Sequence, residues 1–101
     1  MISVITTTVS RKKDAIELGK MLLEHKLIVC SNVTEVTSQY NWKGRYHEEL
    51  EYQISFKTSI DKKSQAIKCI KKNHPYEIPL IASKDFEISN SYKVWMDSEL
   101  T

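Results

Sequence analysis

Three features of the chain predict an α+β fold of the ferredoxin-like βαββαβ type, with an extended β2-β3 hairpin and a C-terminal helix. The first is a β-rich run from Leu27 to Thr58, broken only by Lys43-Gly44. The second is the parity of its later half. Tyr46, Leu50, Tyr52, Ile54 and Phe56 fall on one side, and His47, Glu49, Glu51, Gln53 and Lys57 fall on the other. A period of two sustained this far describes a strand with one buried and one wetter face, Glu48 being its lapse on the apolar side. The third is the order of segments around this ribbon, strand and helix before it, helix and strand after it, which is the split βαβ arrangement.

Taken in order, Ile2 to Val9 reads as a strand closing on three threonines. Ser10 is a candidate N-cap for a helix in which Ala15, Leu18, Gly19, Met21, Leu22 and Leu23 recur at helical spacing up to about Lys26. Arg11-Lys12-Lys13 opposes the helix dipole in the first turn, a small cost for a solvated face. Cys30 to Trp42, rich in Val, Thr, Tyr and Trp, suits a pleated surface. Lys43-Gly44 makes the turn, glycine supplying the positive φ that a tight hairpin needs. Ser59 or Asp61 caps a second helix with Ala66, Ile67 and Ile70 on one face and lysines mostly on the other. His74-Pro75 ends it, because the residue before proline is pushed out of the α region. Residues 78–84 read as the fourth strand. Residues 89–100 read as a last helix with Tyr92, Trp95 and Met96 on its inner stripe.

Both arms of the ribbon exceed the usual strand length of ~5–6 residues. Two helices cover one face of a four-stranded sheet, so the other face and the free ribbon edges call for a partner. A closed homo-oligomer is the economical solution.

At 101 residues the chain is expected to be one domain, residues 1–101, with a core that needs no disulfide staple. A net charge of +2 does not by itself argue for nucleic acid. The basic-Gly-aromatic string of RNA-binding modules with this topology is missing, and Glu48, Glu49 and Glu51 would repel a phosphate backbone. No apolar run is long enough to span a membrane. Met1-Ile2-Ser3-Val4 lacks the pattern of a signal peptide, and Cys30 and Cys69 are not in CxxC spacing; a cytoplasmic protein with reduced thiols is expected.

Several strings resemble those of the CutA divalent-cation-tolerance family, in register over about the whole chain. They are Cys30-Ser31-Asn32, the Ser-x-Tyr-x-Trp-x-Gly string from Ser38 to Gly44, Glu51 with Lys57-Thr58, His74-Pro75-Tyr76-Glu77-Ile78-Pro79, and Tyr92 with Trp95. The resemblance implies a ferredoxin-like homotrimer similar to the PII signalling proteins, and a link to copper and other divalent metals. The chain departs from the family at Ser31, where valine is usual, and at Leu80, where the family tends to carry glutamate.

Cys30 and His74 are the candidate metal ligands, a thiolate and an imidazole suiting copper or zinc. Two ligands do not complete a site, so a neighbouring subunit would have to contribute. Glu51 and Lys57 share a strand face but stand ~20 Å apart at ~3.3 Å per residue, so each needs a partner from elsewhere. A cross-subunit pocket lined by Tyr40, Trp42, Tyr76, Tyr92 and Trp95 would supply those partners and hold a metal ion or a small ligand. Enzymatic use of Cys30 with His74 would need a third orienting group and a source of thiolate activation, and neither is evident. No phosphate loop, HExxH or GxSxG string occurs. The expectation is a non-enzymatic trimer that binds a divalent ion or small ligand in inter-subunit clefts. The alternative is a PII-like signalling scaffold without physiological metal binding.

Overall fold

A computed structural model describes residues 1–101. Its elements are β1 (Ile2–Val9), α1 (Lys12–Glu24), β2 (Cys30–Trp42), β3 (Arg45–Thr58), a 3-10 turn (Ile60–Lys62), α2 (Lys63–Asn73), β4 (Ala82–Phe86) and α3 (Asn90–Glu99). The strands form one antiparallel sheet in the order β2-β3-β1-β4. The ferredoxin-like α+β arrangement is therefore present.

β3 is the hinge of the sheet. It pairs with β1 from Ser3↔Thr58 to Val9↔Tyr52, and with β2 from Cys30↔Lys57 to Trp42↔Arg45, without a bulge in either ladder. Ile5 and Phe56 face each other and are fully buried, as is Ile54 opposite Thr7. Ala15, Leu18 and Leu22 of α1 and Ala66 and Ile70 of α2 close over them. α1 comes close to β2: a Cβ on Gly19 would lie 3.0 Å from the Ser31 hydroxyl.

The hairpin turn carries positive φ at both Lys43 (52°) and Gly44 (77°). That pair of angles matches the right-handed twist of the flanking strands, and it is the I′-type solution for a two-residue loop. A second left-handed residue, Lys26 (φ 55°), ends α1. Its N–H donates to the Leu23 carbonyl while the Leu27 N–H reaches back to Leu22, a Schellman closure made without glycine.

Several expectations need correction. α1 starts after Arg11, not Ser10, and no side chain caps it; the Arg11 guanidinium instead pairs with Asp14 one turn on. Ser59 does cap, accepting from the Lys62 N–H, but it opens the 3-10 turn that precedes α2. The fourth strand occupies Ala82–Phe86, later than 78–84. Pro79 has no N–H to offer a ladder, and the Leu80 carbonyl is taken by the Thr7 hydroxyl. The apolar parity of β3 is buried only in its inner half: Leu50 and Tyr46 lie beyond the reach of the helices and are exposed. The second face of the sheet is not bare, because α3 packs Met96 and Leu100 against Ile2 at one end of it. On α3 itself, Trp95 sits largely outside, in edge-on contact with Tyr92, and Leu100 takes the buried place.

Two buried hydroxyls, Ser31 Oγ and Thr58 Oγ1, have no hydrogen-bond partner. An unsatisfied buried hydroxyl costs roughly 1–3 kcal/mol. Thr58→Val keeps the shape and removes the hydroxyl, so it should raise stability by about 1 kcal/mol in urea unfolding; an unchanged or lowered midpoint would contradict this reading of Thr58.

Candidate functional site

Two groups of polar side chains stand out, and strand alternation determines where each sits. Counting from Phe56, which faces the helices, Lys57, Ser55, Gln53 and Glu51 point to the opposite side of the sheet. Through the ladders they share that side with Cys30, Asn32 and Val4.

The first group lies where β2, β3 and β1 meet the start of α3. Lys57 stands directly opposite Cys30 on one side and Val4 on the other. Its ammonium donates to Asn32 Oδ1, the same oxygen that the Cys30 thiol approaches at 3.6 Å. Tyr92, Ile88 and Phe86 complete a concavity of about 550 Å³ over these residues. Burial first, and the neighbouring Cys30 sulfur second, hold the Tyr92 phenol above its ordinary pKa, so it stays a neutral donor. No carboxylate lies within ion-pair distance of Lys57, and none lines the concavity.

The second group lies at the far end of β1. Glu51 is 6% exposed although it belongs to the polar parity. Its carboxylate accepts a short hydrogen bond from the Tyr76 hydroxyl. Desolvation first, and this bond second, push the Tyr76 phenol far above its usual range. His74 Nδ1 accepts from the Tyr76 backbone N–H at 3.0 Å, and His74 Nε2 lies 2.8 Å from Thr7 Oγ1. Thr7 spends its proton on the Leu80 carbonyl at 2.6 Å. Its oxygen can therefore only accept from His74, which fixes the neutral imidazole with the proton on Nε2. Burial lowers the His74 pKa, against the opposing pull of the Thr8 backbone and Glu51.

The residues expected to form one site are thus distributed over three places. Cys30, Lys57 and Tyr92 come together. Glu51, His74 and Tyr76 come together elsewhere, with Thr7 and the Leu80 carbonyl as members that sequence reasoning missed. Tyr40 and Trp42 sit near the exposed hairpin tip, where Tyr40 stacks on His47 and donates to Glu49. Trp95 touches the first group only through its edge-on contact with Tyr92. Asn32 is the other missed member, although its place two residues after Cys30 on the same strand face was available from alternation.

A divalent cation fits the single chain poorly. No three His, Cys, Asp or Glu side chains converge anywhere. Cys30 stands opposite Lys57 in the ladder and shares the Asn32 oxygen with its ammonium, and both nitrogens of His74 are already hydrogen-bonded. Thr7, His74's partner, lies three residues along β1 from Val4, the residue beside Lys57, and on the opposite face, so the two candidate ligands are in separate neighbourhoods.

Together, the split βαβ sheet, the overlong hairpin and the polar concavity define a small ferredoxin-like α+β protein with a recess on the open face of its sheet. The chain belongs to the CutA family: the family model described as "CutA1 divalent ion tolerance protein" matches residues 3–99. The divalent-cation tolerance protein CutA of Thermotoga maritima is 37% identical over 93 residues, covering 91% of this chain and 92% of that protein. The crystal structure of CutA1 from Ehrlichia chaffeensis superposes with a TM-score of 0.95 at 32% identity, covering 99% of this chain and 95% of the other. A CutA structure from Archaeoglobus fulgidus, described as periplasmic, gives 0.94 at 26% identity over the full length of both chains.

Two outcomes follow from the second group. Tyr76→Phe leaves the buried Glu51 carboxylate without its donor and should cost about 1–3 kcal/mol in urea unfolding; a loss near zero would mean that Glu51 is solvated or paired otherwise. For His74 the folded pKa is depressed, so the unfolded chain binds a proton near pH 6.5 while the folded one still refuses it. Stability is then full above 6.5 and is lost as pH falls through the folded pKa. His74→Gln should flatten that part of the profile, measured by denaturant midpoints between pH 7.5 and 5.5. An identical slope in the variant would remove His74 as its source.

Proposed function

We propose that this protein works without catalysis, as a homotrimer whose copies complete ligand-binding clefts over the open face of the sheet. The observation that carries this reading is the state of that face. α3 covers one end of it, and the rest presents a concavity with a lysine, a thiol and an amide. Beyond it, the 13- and 14-residue arms of the hairpin expose Tyr40, Trp42, Tyr46 and Leu50. Apolar surface of this kind on a projecting ribbon favours association with like copies, and closed symmetry limits it to a finite particle.

Membership of a divalent-cation-tolerance family makes a response to metal ions the natural role. A copper or other divalent ion held at Cys30 would have to draw its remaining donors from neighbouring copies, since one chain brings no set of three together. The alternative is a PII-like signalling scaffold whose clefts take a small ligand and no metal. Free thiols at Cys30 and Cys69 suit a reducing, cytoplasmic setting. No helix is long and apolar enough to cross a membrane.

Light scattering should report a particle near three times the 11.8 kDa chain mass, and calorimetric titration of that particle with Cu(II) should give binding that weakens in Cys30→Ala. A stable single-chain particle would overturn the cleft reading. A trimer silent to copper would leave the scaffold alternative in place.

A further inference from the structure

The concavity at Cys30 has an electrostatic character opposite to what a cation site requires. A site for a divalent ion gathers oxygen, nitrogen or thiolate donors and excludes other cations. Here the charged group at the floor is the Lys57 ammonium. Its polar companions are the Asn32 amide, the Tyr92 phenol, the Ser89 hydroxyl and the Cys30 sulfur, with no carboxylate among them, and its walls are Val4, Phe86 and Ile88. An ammonium half-sheltered by apolar walls, and satisfied only by one amide oxygen, lacks its charge partner. Ion pairs form elsewhere on the molecule, Arg11 with Asp14, Lys13 with Glu17, Lys63 with Asp85 and Lys93 with Asp97, and what sets Lys57 apart from the other unpaired cations is its place in a concavity with apolar walls. At Lys57 the ladder neighbours are Cys30 and Val4 instead, so the strand register itself keeps acids away.

We infer that this concavity is a site for a small organic anion, a carboxylate on an aromatic or aliphatic body, with the anion on Lys57 and the body against Val4, Phe86 and Ile88. The inference rests on the open face being a place where ligands bind, and it names the ligand class there. The chemistry is consistent on each wall. A carboxylate has two acceptor oxygens, so one can take the Lys57 ammonium while the other accepts from the Asn32 amide nitrogen or the Tyr92 hydroxyl. Tyr92 is kept protonated by burial and so can donate. A volume of about 550 Å³ lies within the usual range for small-ligand pockets. Apolar walls strengthen the charge pairing by excluding water, and the same walls make the site unrewarding for a hydrated divalent ion.

Phenylacetate is a suitable probe, with phenylacetamide as its neutral counterpart and Cu(II) as the competing cation, titrated into the intact protein and followed by amide chemical shifts. Phenylacetate should shift resonances of Asn32, Lys57, Ser89 and Tyr92 saturably, and phenylacetamide should bind at least tenfold more weakly. Lys57→Met should abolish the phenylacetate response, and Lys57→Arg should restore it. Equal binding of phenylacetate and phenylacetamide, or no binding of either, would overturn the inference. So would a Lys57→Met variant that falls apart into single chains while phenylacetate stays silent on the wild type, because Lys57 would then be pairing with a carboxylate of another copy. Copper binding that tracks Cys30 in a protein blind to phenylacetate would end the anion reading and leave the cleft reading intact. Phenylacetate binding by a protein that light scattering finds as single chains would uphold the anion site and end the trimer reading.

Discussion

The constraint on which the rest depends is the unbroken double ladder of β3. Because side chains alternate strictly along a strand, a slip of one residue against either neighbour would exchange Ile54 and Phe56 for Ser55 and Lys57 in the core. The fully buried Ile5–Phe56 and Thr7–Ile54 pairs hold the register on the β1 side. On the β2 side the tight turn at Lys43-Gly44 fixes it from the other end. Once that register is set, the location of Lys57 opposite Cys30 and the location of Glu51 near the end of β1 are both determined. The chemistry of the open face is thus a consequence of the packing of the closed one.

Glu51 shows how the same regularity produces an exception. Alternation assigns it to water, and the strand does point it away from the helices. The loop after α2 then folds over the end of β1 and brings Tyr76 to it. The loop is held in that path by Thr7, whose hydroxyl joins the His74 ring to the Leu80 carbonyl. A carboxylate is sheltered by a phenol, and a neutral imidazole by a hydroxyl and a backbone N–H. This end of the molecule is a closed hydrogen-bond circuit that keeps its members occupied. The Lys57 end has a charge without a counter-charge. The two clusters, on one strand and six residues apart in the chain, therefore have different characters: one is satisfied and the other is open.

The strands and helices were legible because their periods are long and clean. The parity of residues 46–57 located β3, and helical spacing located α1 and α2. Boundaries were less legible where backbone geometry or tertiary contacts decide. Nothing local announces that Arg11 replaces Ser10 as the cap, or that Lys26 would take a left-handed angle usually given to glycine. β4 was displaced because Pro79 and the Thr7 contact to Leu80 are non-local facts. The site was half legible. Residue identity picked out Cys30, Lys57, Tyr92, Glu51, His74 and Tyr76, but it could not divide them into two clusters. That division requires knowing which strand face each one occupies and where the loop after α2 runs. Trp95 was misplaced on the inner stripe for a related reason: the face that α3 presents to the sheet is narrow and is filled by Tyr92, Met96 and the following Leu100.

The hairpin also has an electrical polarity along its length. Its tip carries Lys43 and Arg45, while the shaft exposes Glu35, Glu48 and Glu49. Two such ribbons laid side by side in the same direction bring like charges together. Turned so that the tip of one meets the shaft of another, they attract. Over a molecule 46 Å in its longest dimension, well beyond the screening distance of ~8 Å in physiological salt, only direct contacts of that kind feel the difference. If copies associate through their ribbons as proposed, charge alone disfavours a parallel stack and leaves the head-to-shaft arrangement as the attractive one.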